Sequence, residues 1–220
     1  MTDWNYTIAV AGMPGTGKST LSLKRIRELQ REGRAYAFVY EGDGQFPRTG
    51  ADRRRLACVR DHRSLGDLQA YLGDERGHVP EAEIHIVRLY PGDVDSWRGQ
   101  PLDSAGLALV AVAERVSQKS GRRCVVWYDE IAAVKGATSS APIDERLRAA
   151  LGARRHLGIA FGYTTQSVAW AHRDLRRLTN ERHVFRVDDG EDLRALRDFK
   201  VPEQDLPTIE NLSNFHYMSY

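Results

Sequence analysis

Near the amino end, Gly12-Met13-Pro14-Gly15-Thr16-Gly17-Lys18-Ser19 satisfies the spacing G-x-x-x-x-G-K-[ST] in full. Each residue type has a task if the ligand is a polyphosphate. Glycines let backbone N–H groups curl around an anion without side-chain clashes. A lysine at this spacing reaches the β- and γ-phosphates, and the hydroxyl after it ligates magnesium. The apolar run Thr7–Ala11 precedes the loop and a helical pattern, Lys18–Glu32, follows it. The free N–H donors and dipole of a helix N-terminus therefore meet the same anion. The predicted nucleotide contacts are Gly12, Pro14, Gly15, Thr16, Gly17, Lys18, Ser19 and Thr20, with ATP as ligand and Ser19 on Mg2+. The dinucleotide fingerprint is a poor rival because it lacks the Lys-Ser pair. The plain alternative is a glycine-rich turn with an accidental lysine, and the strand–turn–helix setting weighs against it.

A second apolar run, Cys124-Val-Val-Trp-Tyr, ends in Asp129-Glu130. In an open α/β sheet, chemistry gathers at the carboxyl ends of the strands. Asp129 there can hold the magnesium, and Glu130 can act as general base on an attacking water. Adjacent carboxylates repel without a cation, which a metal resolves. Many strands end in an acid at the start of a solvated loop; the phosphate loop upstream favours the functional reading.

A third apolar run, Gly158-Ile-Ala-Phe-Gly-Tyr, ends in Thr164-Thr165-Gln166. Gln166 can contact a γ-phosphate or the attacking water; the segment can equally be a helix cap, with Thr165 or Ser167 as the capping residue. Arg154 and Arg155 stand just before this run. An arginine supplied by a neighbouring subunit neutralises charge in phosphoryl transfer. On their own, two arginines near a helix C-terminus are better read as solvated partners of the helix dipole.

The elements that must position these groups alternate in type. Strand-like runs at Thr7–Ala11, Ala35–Tyr40, Glu83–Tyr90, Cys124–Tyr128, Ile159–Tyr163 and His183–Val187 are separated by helical patterns. These helices are expected at Lys18–Glu32, Ser64–Arg76, Ser104–Gln118, Pro142–His156, Val168–Leu178 and Asp192–Phe199. A short strand is expected around Leu56–Val59 and an edge strand at Phe215–Tyr220. Unbroken apolar strands with helices between them predict a mostly parallel sheet covered on both faces. The fold class is therefore α/β, one domain over residues 1–220 with room for an insertion at 41–92.

Composition excludes some classes. The chain has 220 residues, 41% hydrophobic and 28% charged, with a net charge of +2, so no global field demands nucleic acid or a membrane surface. Two cysteines, Cys58 and Cys124, form no disulfide framework and fit a reducing compartment. The polar start Met1–Tyr6 is no signal peptide, and no run approaches the roughly 18–20 apolar residues of a transmembrane helix. A soluble, cytoplasmic protein is expected.

Taken together, Gly12–Ser19, Val125–Glu130 and Arg154-Arg155-His-Leu-Gly158 leading into Thr165-Gln166 resemble the FtsK–HerA superfamily of DNA-pumping ATPases. In size the chain is most similar to the small genome-packaging ATPases of membrane-containing icosahedral viruses. The resemblance implies a RecA-like P-loop NTPase core, with Gln166 as γ-phosphate sensor. It implies Arg155, 11 residues before Gln166, as the arginine finger acting in trans, with Arg154 as its substitute. It further implies a homo-oligomeric ring, usually a hexamer, around double-stranded DNA. A viral portal or capsid vertex would be the docking partner, in the host cytoplasm or associated with virions. Candidate DNA contacts are Arg48, Arg53, Arg54, Arg55, Arg60 and Arg63, and separately Arg173, Arg176 and Arg177; for each one alone, a solvated surface is the simpler reading. Two other functions fit a phosphate loop: a small-molecule or nucleoside kinase, and a nucleotide-dependent switch that barely turns ATP over.

Overall fold

The computed structural model describes residues 4, 6–41, 46–47, 59–63, 65–74, 84–88, 105–134, 137–138, 142–143 and 145–220. Eight strands form one sheet: β1 (Thr7–Ala11), β2 (Tyr36–Glu41), β3 (Val59–His62), β4 (Ile84–Arg88), β5 (Cys124–Asp129), β6 (Ile159–Thr165), β7 (Glu181–Val184) and β8 (Met218–Ser219). Their spatial order is β3-β4-β2-β5-β6-β1-β7-β8. Every pairing is parallel except that of β8, which runs antiparallel to β7. The helices are α1 (Lys18–Gly33), α2 (Leu65–Asp74), α3 (Ala105–Ser120), α4 (Glu145–Leu157), α5 (Arg173–Leu178), α6 (Gly190–Ala195) and α7 (Leu206–Glu210). Of the segment 41–92, the described residues add β3 and β4 to the same sheet, with α2 between them in sequence. Among the described residues no helix is long and apolar enough to cross a membrane.

The central strands β1, β2, β5 and β6 are largely apolar because both of their faces are covered. Along β5, Val125 and Trp127 enter one core with Ile8 and Val10 of β1 and Leu21, Ile26 and Leu29 of α1. Cys124, Val126 and Tyr128 enter the other, with Leu109 and Ala113 of α3 and Leu147 and Leu151 of α4. Side chains of a strand alternate between faces, so each core takes every second residue. The Cys124 thiol is fully buried, which pushes its pKa up to about 12, and it donates to Ala113 O at 3.4 Å. It is a core residue.

Several expected elements differ in extent; the edge strand expected at Phe215–Tyr220 is β8, at Met218–Ser219, and the helix expected at Asp192–Phe199 is α6, at Gly190–Ala195. The short strand expected at Leu56–Val59 is β3, at Val59–His62, whose residues pair with β4. The strand expected at His183–Val187 is β7, at Glu181–Val184. Beyond it the backbone turns to a different partner, with Arg186 O accepting from Met13 N at 3.0 Å. The helix expected over Val168–Leu178 begins only at Arg173. Val168, Ala171 and Leu175, spaced as one face of that helix, are buried, and Leu178 is half-buried. However, Ala171 bridges Thr138, and Asp192 Oδ1 accepts from Ser167 Oγ at 2.6 Å and Ala169 N at 2.8 Å. His172 N, which in a helix would donate to Val168 O, donates instead to Ala137 O at 2.8 Å, and this keeps 167–172 out of a helix.

The register of β5 and β6 places Trp127 opposite Gly162. A Cβ at Gly162 would lie 2.0 Å from Trp127 Cε3, so the fully buried indole occupies the space a side chain would need. Gly162→Ala is expected to cost about 3 kcal/mol. For a chain of this size that is a fall in Tm of about 6–12 °C, measurable by thermal unfolding.

Candidate functional site

The loop Gly12–Gly17 joins β1 to α1 at the carboxyl edge of the sheet and is clamped from both sides. Gly12 N donates to Thr165 O at the end of β6 (3.2 Å), and Met13 N donates to Arg186 O beyond β7 (3.0 Å). Inside the loop, Thr16 Oγ1 donates to Met13 O (2.8 Å), and the buried Lys18 Nζ donates to Gly12 O (2.7 Å) and Met13 O (2.8 Å). Gly17 caps α1 with φ 103, a left-handed conformation that glycine adopts without steric cost. The first turn of α1 carries no acidic residue, so its N–H groups and dipole face the cleft without competition.

One cleft is lined by Pro14, Gly15, Gly17, Lys18, Ser19, Thr20, Asp129, Glu130, Thr164, Gln166 and Phe215. It thus gathers Lys18, Ser19, Asp129, Glu130 and Gln166, which lie in three separate parts of the sequence. The strand order explains how. β6 lies between β1 and β5, all three parallel, so the phosphate loop, Gln166 and the carboxylates leave the sheet at one edge.

Thr164 organises the acidic side. Its Oγ1 donates to Asp129 Oδ1 at 3.0 Å and accepts from Glu130 N at 2.7 Å. Asp129 is itself buried. Glu130 has φ 65, and its carboxylate accepts from Gln166 N at 3.0 Å and from Ala132 N at 3.4 Å. A non-glycine residue with positive φ is strained and recurs at functional sites. Among the described residues four are of this kind, and two of them, Glu130 and Phe215, line the cleft. Beneath the acids, burial raises the pKa of the Tyr128 and Tyr163 phenols, that of Tyr163 to about 12, so both stay neutral.

The donors around the cleft fit a magnesium ion with phosphates. They are a hydroxyl, Ser19, and carboxylates, Asp129 and Glu130, all hard oxygen ligands. Among the described residues no group of three or more His, Cys, Asp or Glu could form an all-protein metal cage. Magnesium usually binds through one or two carboxylates plus substrate phosphates, so a sparse set suits it.

The two arginines stand elsewhere. Arg154 and Arg155 are in the last turn of α4, which leads through Gly158 into the amino end of β6. They therefore occupy the rim of the sheet opposite the phosphate loop, about 20 Å away by strand rise.

Of the proposed DNA contacts, Arg48, Arg53, Arg54 and Arg55 lie outside the described residues. Arg60 lies over the Tyr71 ring at 4.4 Å. Arg176 does not face solvent: it is buried and donates to Val168 O (2.9 Å), Ala169 O (3.2 Å) and Asp198 Oδ2 (3.1 Å). It holds the 167–172 segment in place and is withdrawn as a phosphate contact. Two cleft residues were not singled out from sequence. Thr164 is identifiable only once β5 and β6 are known neighbours, since the register puts Tyr128 level with Tyr163 and hence Asp129 level with Thr164. Phe215 comes from a tail with no motif.

No family model matches the chain, and no curated protein matches it. Solved structures do. The genome packaging NTPase B204 from Sulfolobus turreted icosahedral virus 2, in complex with ATP-gammaS, superposes with a TM-score of 0.71 at 16% identity, covering 100% of this chain and 93% of that one. The same NTPase in complex with AMPPCP gives 0.70 at 16%, covering 99% and 92%. B204, the DNA-packaging ATPase from Sulfolobus Turreted Icosahedral Virus, gives 0.66 at 15%, covering 100% and 93%. At such identities the likeness establishes the fold alone, an α/β fold with a mostly parallel sheet flanked by helices that these NTPases share.

Thr164→Val removes the hydroxyl that serves both Asp129 and Glu130. It is expected to destabilise the protein by about 1–3 kcal/mol. Chemical denaturation of Thr164→Val, Asp129→Asn and the double variant should show non-additive losses; simple additivity would remove Thr164 from this role.

Proposed function

We propose that the protein is an ATP-hydrolysing double-stranded DNA translocase that packages a viral genome. One observation carries the reading: Lys18, Ser19, Asp129, Glu130 and Gln166 line a single cleft at the carboxyl edge of the sheet. The full-length likeness to packaging NTPases crystallised with ATP analogues supports the choice among ATPases.

In this reading the backbone N–H groups of Gly12–Gly17 and of the first turn of α1, with Pro14 and Thr20 shaping the rim, hold the triphosphate. Lys18 neutralises its β- and γ-phosphates. Ser19 and Asp129 hold Mg2+, which when bound offsets charge on the phosphate oxygens. Glu130 takes the proton of the attacking water on its carboxylate, and Gln166 senses the γ-phosphate. The bond from Gln166 N to Glu130 Oε2 links the base to the sensor strand, so a change at one is felt at the other. Arg155, or Arg154 in its place, acts on a neighbouring subunit's nucleotide; the end of α4 at the rim opposite the cleft supports this choice over its own site. Subunits therefore associate head to tail, and closure of such contacts makes a ring, here a hexamer around DNA. Its docking partner is a portal or capsid vertex, and it works in the host cytoplasm.

ATPase rate with and without double-stranded DNA, alongside mass measurement in nucleotide, tests the reading. Stimulation by DNA and a ring are expected. Turnover that appears only with a small hydroxyl acceptor would replace the translocase with a kinase, and binding with negligible turnover would replace it with a switch. Glu130→Gln should still bind ATP and lose turnover by about 10²–10⁴-fold; normal hydrolysis by this variant would remove Glu130 as base.

Arg155→Ala subunits should be inactive alone and regain activity when mixed with Lys18→Ala subunits, because each supplies what the other lacks. Mixtures that stay inactive would count against action in trans.

A further inference from the structure

The carboxyl-terminal segment returns to the phosphate loop and fixes one aromatic ring at the lip of the cleft. Phe215 N donates to Thr16 O, inside the loop, at 3.1 Å. Its ring lies over Gly17, so that a Cβ there would be 2.9 Å from Phe215 Cδ1. The side chain is nonetheless 71% exposed, the most exposed of the large hydrophobic residues among those described. Exposing a phenylalanine in a strained backbone conformation, φ 67, gains nothing for packing.

The ring is held by anchors on both sides. Before and around it, His216 N donates to Ser213 O at 3.2 Å, closing a tight turn. After it, β8 pairs with β7, Arg182 and Tyr220 exchange backbone bonds of 3.0 and 2.9 Å, and Tyr220 Oη donates to Asp205 Oδ2 at 3.0 Å. Between them, Tyr217 packs against Phe185 at 5.2 Å and His183 at 5.4 Å. The ring is thus presented on a fixed mount.

Strand order says which end of a nucleotide it meets. Asp129, Glu130 and Gln166 come from β5 and β6, on one side of β1; Phe215 comes from the β7–β8 side. The acids and the sensor mark the γ-phosphate end. The other end of the cleft, where Phe215 stands over Gly17, faces the nucleoside.

We propose that Phe215 is the base platform: its exposed face stacks on the purine of the nucleoside triphosphate held by Gly12–Ser19. This rests on the nucleotide reading given above. Stacking recognises any aromatic base and makes no hydrogen-bond readout, so the platform separates nucleotides from bare polyphosphate without choosing between ATP and GTP.

Affinities of wild type, F215A and F215W for a non-hydrolysable ATP analogue and for inorganic tripolyphosphate test this. Loss of a base stack of ordinary strength weakens binding by about tenfold or more. F215A should show that loss for the ATP analogue and keep wild-type affinity for tripolyphosphate, and F215W should restore nucleotide binding. Equal losses for both ligands would make Phe215 a strut for the phosphate loop, and no loss for either would leave it without a role in binding; each result overturns the platform. Wild-type protein that binds neither ligand would instead overturn the nucleotide reading itself. Thermal unfolding of F215A separates these outcomes from misfolding, since a side chain this exposed is expected to leave Tm within about 2 °C of wild type.

Discussion

The cleft depends on the register between three parallel strands. β6 lies between β1 and β5, so the end of β6 touches both the phosphate loop, through Thr165 O, and the acids, through the Thr164 hydroxyl. If β6 slipped by one residue, Thr164 would exchange faces with Thr165 and Asp129 would lose its donor. The same slip would drive a side chain into Trp127, because Gly162 would no longer stand opposite the indole. A single packing constraint inside the sheet and a single hydroxyl at its edge therefore fix one geometry. The core enforces the register, and the register places the site.

The site itself is held in tension between two sets of bonds. Lys18 is turned inward onto the loop carbonyls of Gly12 and Met13, and Glu130 is tied to backbone N–H groups of Gln166 and Ala132. A polyphosphate in the cleft competes for the lysine, and a water in front of it competes for the carboxylate. Charge-assisted bonds of this kind are stronger than neutral ones, so both side chains are held in fixed orientations by the protein itself. The positive φ of Glu130 is part of the same arrangement: it turns the chain sharply after β5 and brings the carboxylate back across the strand end.

The sequence is most legible where one local pattern carries the whole meaning. Gly12–Ser19 is read from spacing alone, and Asp129-Glu130 from an apolar run that stops in acids. The parallel, doubly covered sheet is visible because β1, β2, β5 and β6 carry unbroken apolar runs with polar residues only at their ends, as burial on both faces requires. What depends on contacts between distant segments is not legible. Thr164 needs β5 and β6 to be neighbours, and Phe215 needs the tail to fold back across β7. The overlong helix at Val168 has the same origin: its apolar spacing is real, but the distant Ala137 O takes the His172 N–H that would have closed the first helical turn. Arg176 was misjudged for a related reason, since an arginine off an apolar stripe can still turn inward when carbonyls and Asp198 receive it.

The fit between Gly162 and Trp127 also constrains how this lineage can drift. Neither position tolerates change alone: a methyl at 162 meets the indole, and a smaller residue at 127 leaves an empty space in a sheet face. Substitutions there must arrive as a pair that conserves volume, and paired substitution is the trace that spatial contact leaves in an alignment. Among homologues, a side chain at the position of Gly162 should accompany a small residue at that of Trp127, which makes this pair a marker of strand adjacency that sequences alone can report.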